Sequence, residues 1–186
     1  MKNKLIFKSS NPQKLSDFKA LGFSVKRGAD ISEIESNDPL QVALYKVIDT
    51  DEDFVLVEDS SLDVEGLDIG TNIKWEIDRL KKNKQFHGKK AKWSVVLGYR
   101  RKHYVYLAKG ELTGILDYSG ISVDQPGFDS IFRPDGLAET LADICHKMKI
   151  SISPRTQAAQ ALLNKHDLHL FDTRTVPVWQ GSYQQE

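Results

Sequence analysis

Three times in this chain a small polar residue stands directly before a proline, and apolar residues at helical spacing follow. The pairs are Asn11-Pro12, Asp38-Pro39 and Ser153-Pro154. Asn, Asp and Ser are preferred N-cap residues, and proline fits the first helical position because its missing N–H would have no partner there. Each pair therefore predicts the start of a helix, and the three helices divide the rest of the chain into strand-like segments.

The segments before and between these helices have the character of strands. Residues 4–8 and 23–26 predict two short strands, and residues 54–57 form a continuous apolar run typical of a central strand covered on both faces. Residues 93–99 and 104–112, separated by a basic turn, predict a hairpin. Strands that alternate with helices, together with one antiparallel hairpin, predict an α/β fold with a mixed sheet and flanking helices.

Three further segments complete the outline. Residues 73–80 have the apolar spacing of a helix. Residues 124–136 contain two prolines and two glycines, and predict a loop with at most a short extended piece. From about residue 170 the chain is expected to be a peripheral tail, in which residues 176–179 could dock and the last five residues fray.

Length and composition limit the class of protein. A chain of 186 residues fits a single domain, here residues 1–186. Its 26 Lys+Arg and 26 Asp+Glu give zero net charge, which excludes a protein that acts through a strong overall field. The single cysteine, Cys145, cannot form an internal disulfide, and the apolar stretch at residues 5–7 is too short for a signal peptide or a membrane span. These features predict a cytoplasmic protein without a membrane partner.

Several well-known motifs are absent from the sequence. It contains no GxxxxGK[ST], no GxGxxG after a strand, no CxxC and no HExxH, which argues against P-loop, dinucleotide, redox and zinc-protease sites. The lysine-rich run at residues 81–92 could contact nucleic acid. A solvated helix end and loop is the preferred interpretation, because aromatic residues are sparse in this run. Nucleic acid is therefore not favoured as a partner.

Two adjacent carboxylates, Glu58 and Asp59, follow the apolar run at residues 54–57. In α/β sheets, ligands bind beyond the carboxyl ends of the strands. Carboxylates at such a place suit Mg²⁺, which takes oxygen ligands and usually shares them with substrate phosphates. The alternative is an acidic loop whose charges are solvated or cap a helix.

Two loops offer further candidate binding groups. The first strand leads through Ser9 and Asn11 into a helix start, where free backbone N–H groups, the helix dipole and Lys14 could bind an anion. An ordinary capped turn is the favoured interpretation of that stretch taken alone. Phe128 and Asp129 could stack on a planar base and accept its N–H groups, although a core aromatic in an irregular loop is equally common.

Four segments together carry a more specific pattern. They are Ser9-x-Asn11-x-x-Lys14, residues 39–46, residues 55–62 with Ile73-Lys74-Trp75 downstream, and residues 132–136 followed by Glu139-Thr140 and Ala142-Asp143. In this order they resemble the inosine triphosphate pyrophosphatase family, whose members hydrolyse noncanonical purine nucleoside triphosphates to the monophosphate and pyrophosphate. The resemblance implies a nucleotide-metabolising hydrolase with an elongated α/β fold and a smaller lobe.

The resemblance also implies roles for individual residues. Asp59 and Glu33 would be the catalytic carboxylates, which hold Mg²⁺ and activate water, with Glu35 as a rival to Glu33. The implied substrate-binding residues are Ser9, Asn11, Lys14, Lys46, Phe128, Asp129, Lys149 and Arg155. Lys14, Lys46, Lys149 and Arg155 would neutralise the triphosphate, and Phe128 with Asp129 would meet the base. Family members are typically Mg²⁺-dependent homodimers.

Three departures from the family pattern concern base and ribose recognition. Pro126 replaces the family's base-stacking phenylalanine, Pro154 replaces a histidine, and a glycine-rich loop is shortened at residues 68–72. They predict a relaxed or altered base preference, or weakened activity. Two alternatives stay open: an enzyme for modified pyrimidine nucleotides, as among the similarly folded Maf-like pyrophosphatases, and a non-catalytic protein that binds nucleotides or nucleic acid.

Overall fold

The structure is a computed structural model that describes residues 2–29, 31–120 and 127–184. Its helices and strands alternate along most of the chain. In chain order they are β1 (Ile6–Ser9), α1 (Pro12–Ala20), β2 (Ser24–Arg27), α2 (Pro39–Asp49), β3 (Val55–Val64), β4 (Leu67–Gly70), α3 (Ile73–Lys82), β5 (Lys90–Arg101), β6 (Tyr104–Leu116), β7 (Phe132–Pro134), α4 (His146–Ile152), α5 (Pro154–Asn164) and β8 (His169–Asp172).

Helices α1, α2 and α5 begin at the three prolines that follow a polar residue. The side chain of each preceding residue accepts a hydrogen bond from a backbone N–H of the first turn; the caps are Asn11, Asp38 and Ser153. The predicted helix starts are therefore confirmed. None of the helices in the described part of the chain is long and apolar enough to cross a membrane.

The strands form one mixed sheet in the order β2-β1-β3-β5-β6-β7, with β4 on β3 and β8 on β6. Strand β1 pairs in parallel with β2 and β3, whereas β3, β5 and β6 pair antiparallel. Strands β5 and β6 form the predicted hairpin, which extends from the turn at Lys102 to the pair Lys90 and Ile115. The mixed α/β sheet with flanking helices is thus confirmed.

Both faces of the sheet are covered by helices. Leu56 of β3 packs in the larger core cluster, with Phe18 of α1 and Leu162 of α5. Its neighbours Val55 and Val57 pack on the opposite side in a second cluster, which includes residues of α2. This arrangement follows from the alternation of side chains along a strand, and it agrees with the prediction of a central strand covered on both faces.

Strand β3 is longer than the apolar run predicted, and this changes the place of the two carboxylates. Glu58 and Asp59 lie within β3 rather than after it, because β5 continues to pair with β3 as far as Val64. Strand β1 stops earlier, at Ser9, where the chain turns into α1. The expectation of a strand end or acidic loop here is wrong: an opening arises because β1 leaves the sheet while β3 goes on.

The tail docks more completely than the sequence indicates. Val176 and Trp179 pack against the cluster of Ile34, Val42 and Tyr45. Main-chain hydrogen bonds extend the contact to residues 182–184, so the expected fraying is wrong for those residues, and residues 185–186 lie outside the described ones. A strand, β8, begins the docked part by pairing with β6.

The lysine-rich run is engaged locally with acidic and carbonyl groups. Lys92 lies 3.3 Å from Asp63 and 3.5 Å from Glu111, and Lys89 donates to the Glu65 carbonyl at 2.9 Å. Whether this run meets solvent alone or a nucleic acid stays a prediction.

Candidate active site

A cavity of about 800 Å³ opens at the point where β1 leaves the sheet and β3 continues. Its lining includes residues of α1, α2, β3, α3, β5, α4 and α5, and of the loops before α2 and after β6. All ten residues that the family resemblance assigns to the site are among them: Ser9, Asn11, Lys14, Glu33, Lys46, Asp59, Phe128, Asp129, Lys149 and Arg155. Segments far apart in sequence thus meet at one cavity, although the roles of these residues stay predictions.

The turn from β1 into α1 is held by its own side chains. The Asn11 side chain accepts from the backbone N–H groups of Gln13 at 2.9 Å and Lys14 at 3.3 Å, and the Asn11 N–H donates to Ser9 Oγ at 3.1 Å. The expectation that this helix start offers free N–H groups is therefore wrong for Gln13 and Lys14. Capping uses those groups, and the Lys14 ammonium remains as the cationic group of the turn.

Glu58 and Asp59 are adjacent and buried, and their side chains lie on opposite faces of β3. Because successive side chains of a strand point in opposite directions, Glu58 faces α1 and α5, where it lies 3.3 Å from both Lys14 and Arg155. Asp59 faces α2, where its Oδ1 lies 3.8 Å from the Lys46 ammonium. The two carboxylates therefore belong to two separate charge clusters.

The Glu58 cluster fixes this carboxylate in its charged form. Burial raises the pKa of Glu58, but the charges of Arg155 and Lys14 and a hydrogen bond from Ser60 outweigh it and lower the pKa to about 2. A group with this pKa keeps its charge across the physiological range. Glu58 thus acts as a permanent counter-ion that holds the two cations at the cavity wall.

Asp59 has the opposite electrostatic character. Burial, helped by the charge of Glu33 and opposed by that of Lys46, raises the pKa of Asp59 to about 7. Its Oδ2 is buried and has no hydrogen-bond partner among the described residues. A buried carboxylate oxygen without a partner is costly, so Asp59 Oδ2 has room for a further cationic or donor partner besides the Lys46 ammonium at Oδ1.

Glu33 and Asp59 are linked by the Lys46 ammonium, which forms an ion pair with each of them. The rival Glu35 is exposed and is not among the residues that line the cavity. The described residues contain no group of three or more His, Cys, Asp or Glu side chains close enough to bind a metal alone. Two carboxylates, one with an unpartnered oxygen, fit an ion such as Mg²⁺ that takes its remaining ligands from water and phosphate.

The four predicted phosphate-binding cations converge on the cavity, and each contacts an acidic side chain. Lys14 pairs with Glu58 and Lys46 with Glu33 and Asp59, as above. The other two pairs are Lys149 with Asp129, and Arg155 with Asp17 at 3.1 Å. Arg155 stands in the first turn of α5, where Ser153 caps its N–H at 3.1 Å. The helix start at Ser153-Pro154 therefore delivers this guanidinium to the site.

The apolar side of the cavity includes Phe128. This half-buried ring packs edge-on against Trp93 at 5.6 Å between centroids and lies 6.1 Å from Phe132. Phe128 therefore packs against the core and also lines the cavity, and its contact with a base stays a prediction. Pro126, the departure from the family at the stacking position, lies outside the described residues.

Two residues of the site were not found by sequence reasoning. Asp17 is buried on α1, where it binds Arg155 and accepts from Gln13 at 3.0 Å. Trp93 lies under the Arg155 guanidinium, 5.1 Å from it. An acidic residue beside Phe18 on the apolar face of α1 was the available signal for Asp17. Trp93 gave none, because a tryptophan in a strand is ordinary core composition.

Comparison with known proteins decides the family. The chain matches the Ham1 family model over residues 5–165. It belongs to the Ham1 family. The resemblance found from the motifs is thus confirmed, and the fold is of the Ham1 type.

Two solved structures share this fold. A nucleoside-triphosphatase, named a dITP/XTP pyrophosphatase, from Mycobacterium abscessus has a TM-score of 0.53 and 19% identity, and the match covers 85% of this chain and 98% of that one. A HAM1 protein from Coxiella burnetii has a TM-score of 0.60 and 17% identity, with 87% and 98% covered. At such identities the likeness concerns the fold alone.

Proposed function

We propose that this chain hydrolyses noncanonical purine nucleoside triphosphates, such as the inosine and xanthosine forms, to the monophosphate and pyrophosphate. The observation that carries the proposal is the convergence of four cationic side chains and two carboxylates, from distant segments, on one cavity of about 800 Å³. A cavity of this size suits a nucleotide. Membership of the Ham1 family, and the dITP/XTP pyrophosphatase named among its structural neighbours, support the substrate class.

The chemistry is an in-line displacement at phosphorus. A water oxygen bonds to a phosphorus of the α–β anhydride, that P–O–P bridge breaks, and pyrophosphate leaves with the electron pair. Asp59 orients the water and takes its proton, and Asp59 and Glu33 would hold a divalent ion when one binds. The cations Lys14, Lys46, Lys149 and Arg155 offset the charge that grows on the leaving group. A bound divalent ion would add charge neutralisation and further orient the phosphates.

The base pocket is proposed to be Phe128 with Asp129. Phe128 is part of the cavity lining, and Ile73 and Ile77 of α3 contribute further apolar side chains to it. Asp129 is already paired with Lys149, so a base that binds there replaces this ion pair or shares it. Together with the departures at Pro126 and Pro154, this arrangement favours a base preference more relaxed than the family's.

A substrate panel tests the proposed function. Pyrophosphate release should be measured from inosine, xanthosine, the four standard and several modified pyrimidine triphosphates, with Mg²⁺ and with EDTA. The proposal expects Mg²⁺-dependent release that is fastest for the inosine or xanthosine forms. Fastest release from a modified pyrimidine triphosphate would contradict the purine preference and support the pyrimidine alternative. Binding of nucleotides without release of pyrophosphate would identify a non-catalytic binder.

Three further properties belong to the same proposal. We propose Mg²⁺ as the physiological ion, a homodimer as the assembly and the cytoplasm as the location. The metal follows from the oxygen ligands at Asp59 and Glu33, and the dimer and location follow from the family resemblance and the cysteine content. Sedimentation velocity at micromolar concentration decides the dimer, since a single monomeric species would contradict it.

A further inference from the structure

The C-terminal segment of residues 173–184, here called the tail, lies outside the residues 5–165 that match the family, yet it contacts the chain next to Glu33. The Glu35 N–H donates to the Ser182 carbonyl at 2.9 Å, and the Gln184 N–H donates to the Glu33 carbonyl at 2.8 Å. Between these two bonds, Ile34 and Tyr183 form an antiparallel bridge. The tail thus adds a short strand beside the segment that carries a proposed metal carboxylate.

The same tail also contacts α2 next to Lys46. The Trp179 ring packs on the Tyr45 ring, with centroids 5.4 Å apart and planes at 60°. The Tyr45 hydroxyl donates to the Pro177 carbonyl at 2.8 Å. Lys46 is the next residue in α2, and its ammonium binds Glu33. The tail therefore holds the backbone on both sides of the Lys46–Glu33 ion pair.

The tail has a defined conformation built around Trp179. The Trp179 indole N–H donates to the Ser182 carbonyl at 2.9 Å, the same oxygen that accepts from Glu35. A Cβ at Gly181 would come within 2.5 Å of the Trp179 ring, so this close turn requires glycine. The strand-like end of the tail is thus oriented by the same side chain that anchors it on α2.

We propose that the tail positions Glu33 and Lys46 for the divalent ion and the triphosphate, an inference that rests on the proposed function. In the described residues 31–38 the bridge at Ile34 is the sole element of β-structure, so the tail supplies the main-chain partners on both sides of Ile34. Mg²⁺ tolerates little deviation from octahedral geometry. Residues that orient metal ligands from behind affect metal affinity strongly. Residues of the tail act through Glu33 and Lys46 rather than on the substrate.

The first test deletes residues 180–186, which removes Ser182 and Gln184 and leaves Trp179 in place. Calorimetry should measure binding of the α,β-imido analogue of inosine triphosphate, with Mg²⁺ and with EDTA. The proposal expects the affinity in Mg²⁺ to fall about fivefold or more, and the affinity in EDTA, where only the position of Lys46 matters, to fall less. Val178→Ala serves as the matched control in the tail, because Val178 is 79% exposed.

The second test changes a single donor. Gln184→Pro removes the N–H that binds the Glu33 carbonyl, whereas Gln184→Ala keeps it. Amide hydrogen exchange at Glu35 should speed up in the proline variant and stay slow in the alanine variant. The half-saturating Mg²⁺ concentration for pyrophosphate release should rise in the proline variant alone, with kcat at saturating Mg²⁺ unchanged.

Two outcomes would overturn the positioning role. Unchanged Mg²⁺-nucleotide affinity after the deletion would show that Glu33 keeps its place without the tail. An equal loss of affinity in Mg²⁺ and in EDTA, together with a lower melting temperature, would show that the tail only stabilises the fold. If the intact chain releases no pyrophosphate, the proposed function fails, while the exchange and calorimetric measurements still decide the role of the tail.

Discussion

The two neighbouring carboxylates of β3 illustrate how surroundings assign different tasks to similar residues. Glu58 meets two cations and has a pKa near 2, whereas Asp59 is buried with a weaker compensation and has a pKa near 7. Ligands and catalytic groups are often found where burial and charge move pKa values apart. Glu58 therefore has a structural role, and Asp59 is the residue from which we expect chemistry.

Replacement of Asp59 by Asn tests this assignment. The amide keeps the shape of the carboxylate but neither binds a cation strongly nor accepts a proton, so kcat should fall by about 100-fold or more, while KM changes little. The control is Asp63→Asn in the same strand, since Asp63 is exposed and pairs with Lys92 away from the cavity. Steady-state kinetics with inosine triphosphate and Mg²⁺ give both values. Turnover by the Asp59 variant comparable with that of the control would contradict the assignment.

The raised pKa of Asp59 also predicts a pH dependence of stability. A carboxyl whose pKa is about 7 in the folded state and about 3.9 unfolded binds its proton more tightly when folded, so it destabilises the fold above pH 7 and ceases to do so below pH 4. In EDTA, the Asp59→Asn variant should be more stable than the wild type at pH 8, and this advantage should shrink toward pH 5. Urea unfolding at the two pH values measures it. An advantage independent of pH would mean that the folded pKa is ordinary.

Phe128 is the residue for which core and ligand roles can be separated. Phe128→Ala should weaken binding of the imido analogue by about 1–3 kcal/mol if the ring stacks on the base, and it should also lower stability because contacts with Trp93 and Phe132 are lost. Calorimetry and urea unfolding of the same variant give the two numbers. A loss of stability with unchanged affinity would make Phe128 a core residue only.

At the scale of elements, the packing of α5 on β6 places Arg155. A Cβ at Gly110 would lie 2.1 Å from the Pro154 carbonyl oxygen, so β6 and α5 touch through their backbones at this point. Because of this close contact, the first turn of α5 lies near enough to the sheet for the Arg155 guanidinium to line the cavity. The glycine is therefore a condition for the site as well as for the core.

Gly110→Ala should push α5 away from β6. The overpacking should cost about 1–3 kcal/mol of unfolding free energy, and it should weaken nucleotide binding because Arg155 moves with the helix. Thermal unfolding and calorimetry with the imido analogue measure both effects. A variant with wild-type stability and affinity would show that α5 can shift freely without consequence for the site.

Local signals in the sequence predicted much of the element pattern. Each N-cap and proline pair fixed a helix start, since capping depends on adjacent residues alone. The length of β3 and the short strands β4 and β8 were missed because they depend on pairing with distant strands. Helix α4 was also missed. Its N-cap residue is Cys145, which makes no capping hydrogen bond and is not a residue type that indicates a helix start.

The site residues were accessible from the sequence through the family resemblance rather than through local physics. Spacing alone does not reveal that Lys14, Lys46 and Arg155 line one cavity, because these three residues lie more than thirty residues apart in the sequence. Asp17 and the pairing of residues 182–184 with the segment around Glu33 were missed for the same reason, whereas the docking of residues 176–179 was expected. Their partners, Arg155 and the backbone of Glu33, are defined only by the tertiary fold.

At the scale of the whole molecule, acidic and basic side chains are equal in number, and the four proposed phosphate-binding cations of the cavity are likewise paired with acidic side chains. Net charge is zero overall, and each of the four proposed phosphate-binding cations already has an acidic partner. A triphosphate that binds to these four cations alone therefore displaces existing ion pairs. A divalent ion would supply positive charge in addition to these paired cations.

This balance predicts that nucleotide affinity depends on divalent ions. The imido analogue of inosine triphosphate should bind at least about tenfold more weakly in EDTA than in Mg²⁺, because two carboxylates then repel the phosphates. Calorimetry on the intact chain measures the two affinities. Ca²⁺ has the same charge as Mg²⁺ but a more flexible coordination geometry, so a measurement with Ca²⁺ shows whether charge alone accounts for the difference. Equal affinity with and without divalent ions would show that the lysines and Arg155 suffice.

The central claim is that one cavity cleaves a nucleoside triphosphate between its first and second phosphates. Phosphorus-31 NMR of inosine triphosphate, incubated with the intact chain and Mg²⁺, reports the products directly. The account predicts that the triphosphate signals are replaced by those of inosine monophosphate and pyrophosphate. Inosine diphosphate with inorganic phosphate, or an unchanged triphosphate, would contradict it.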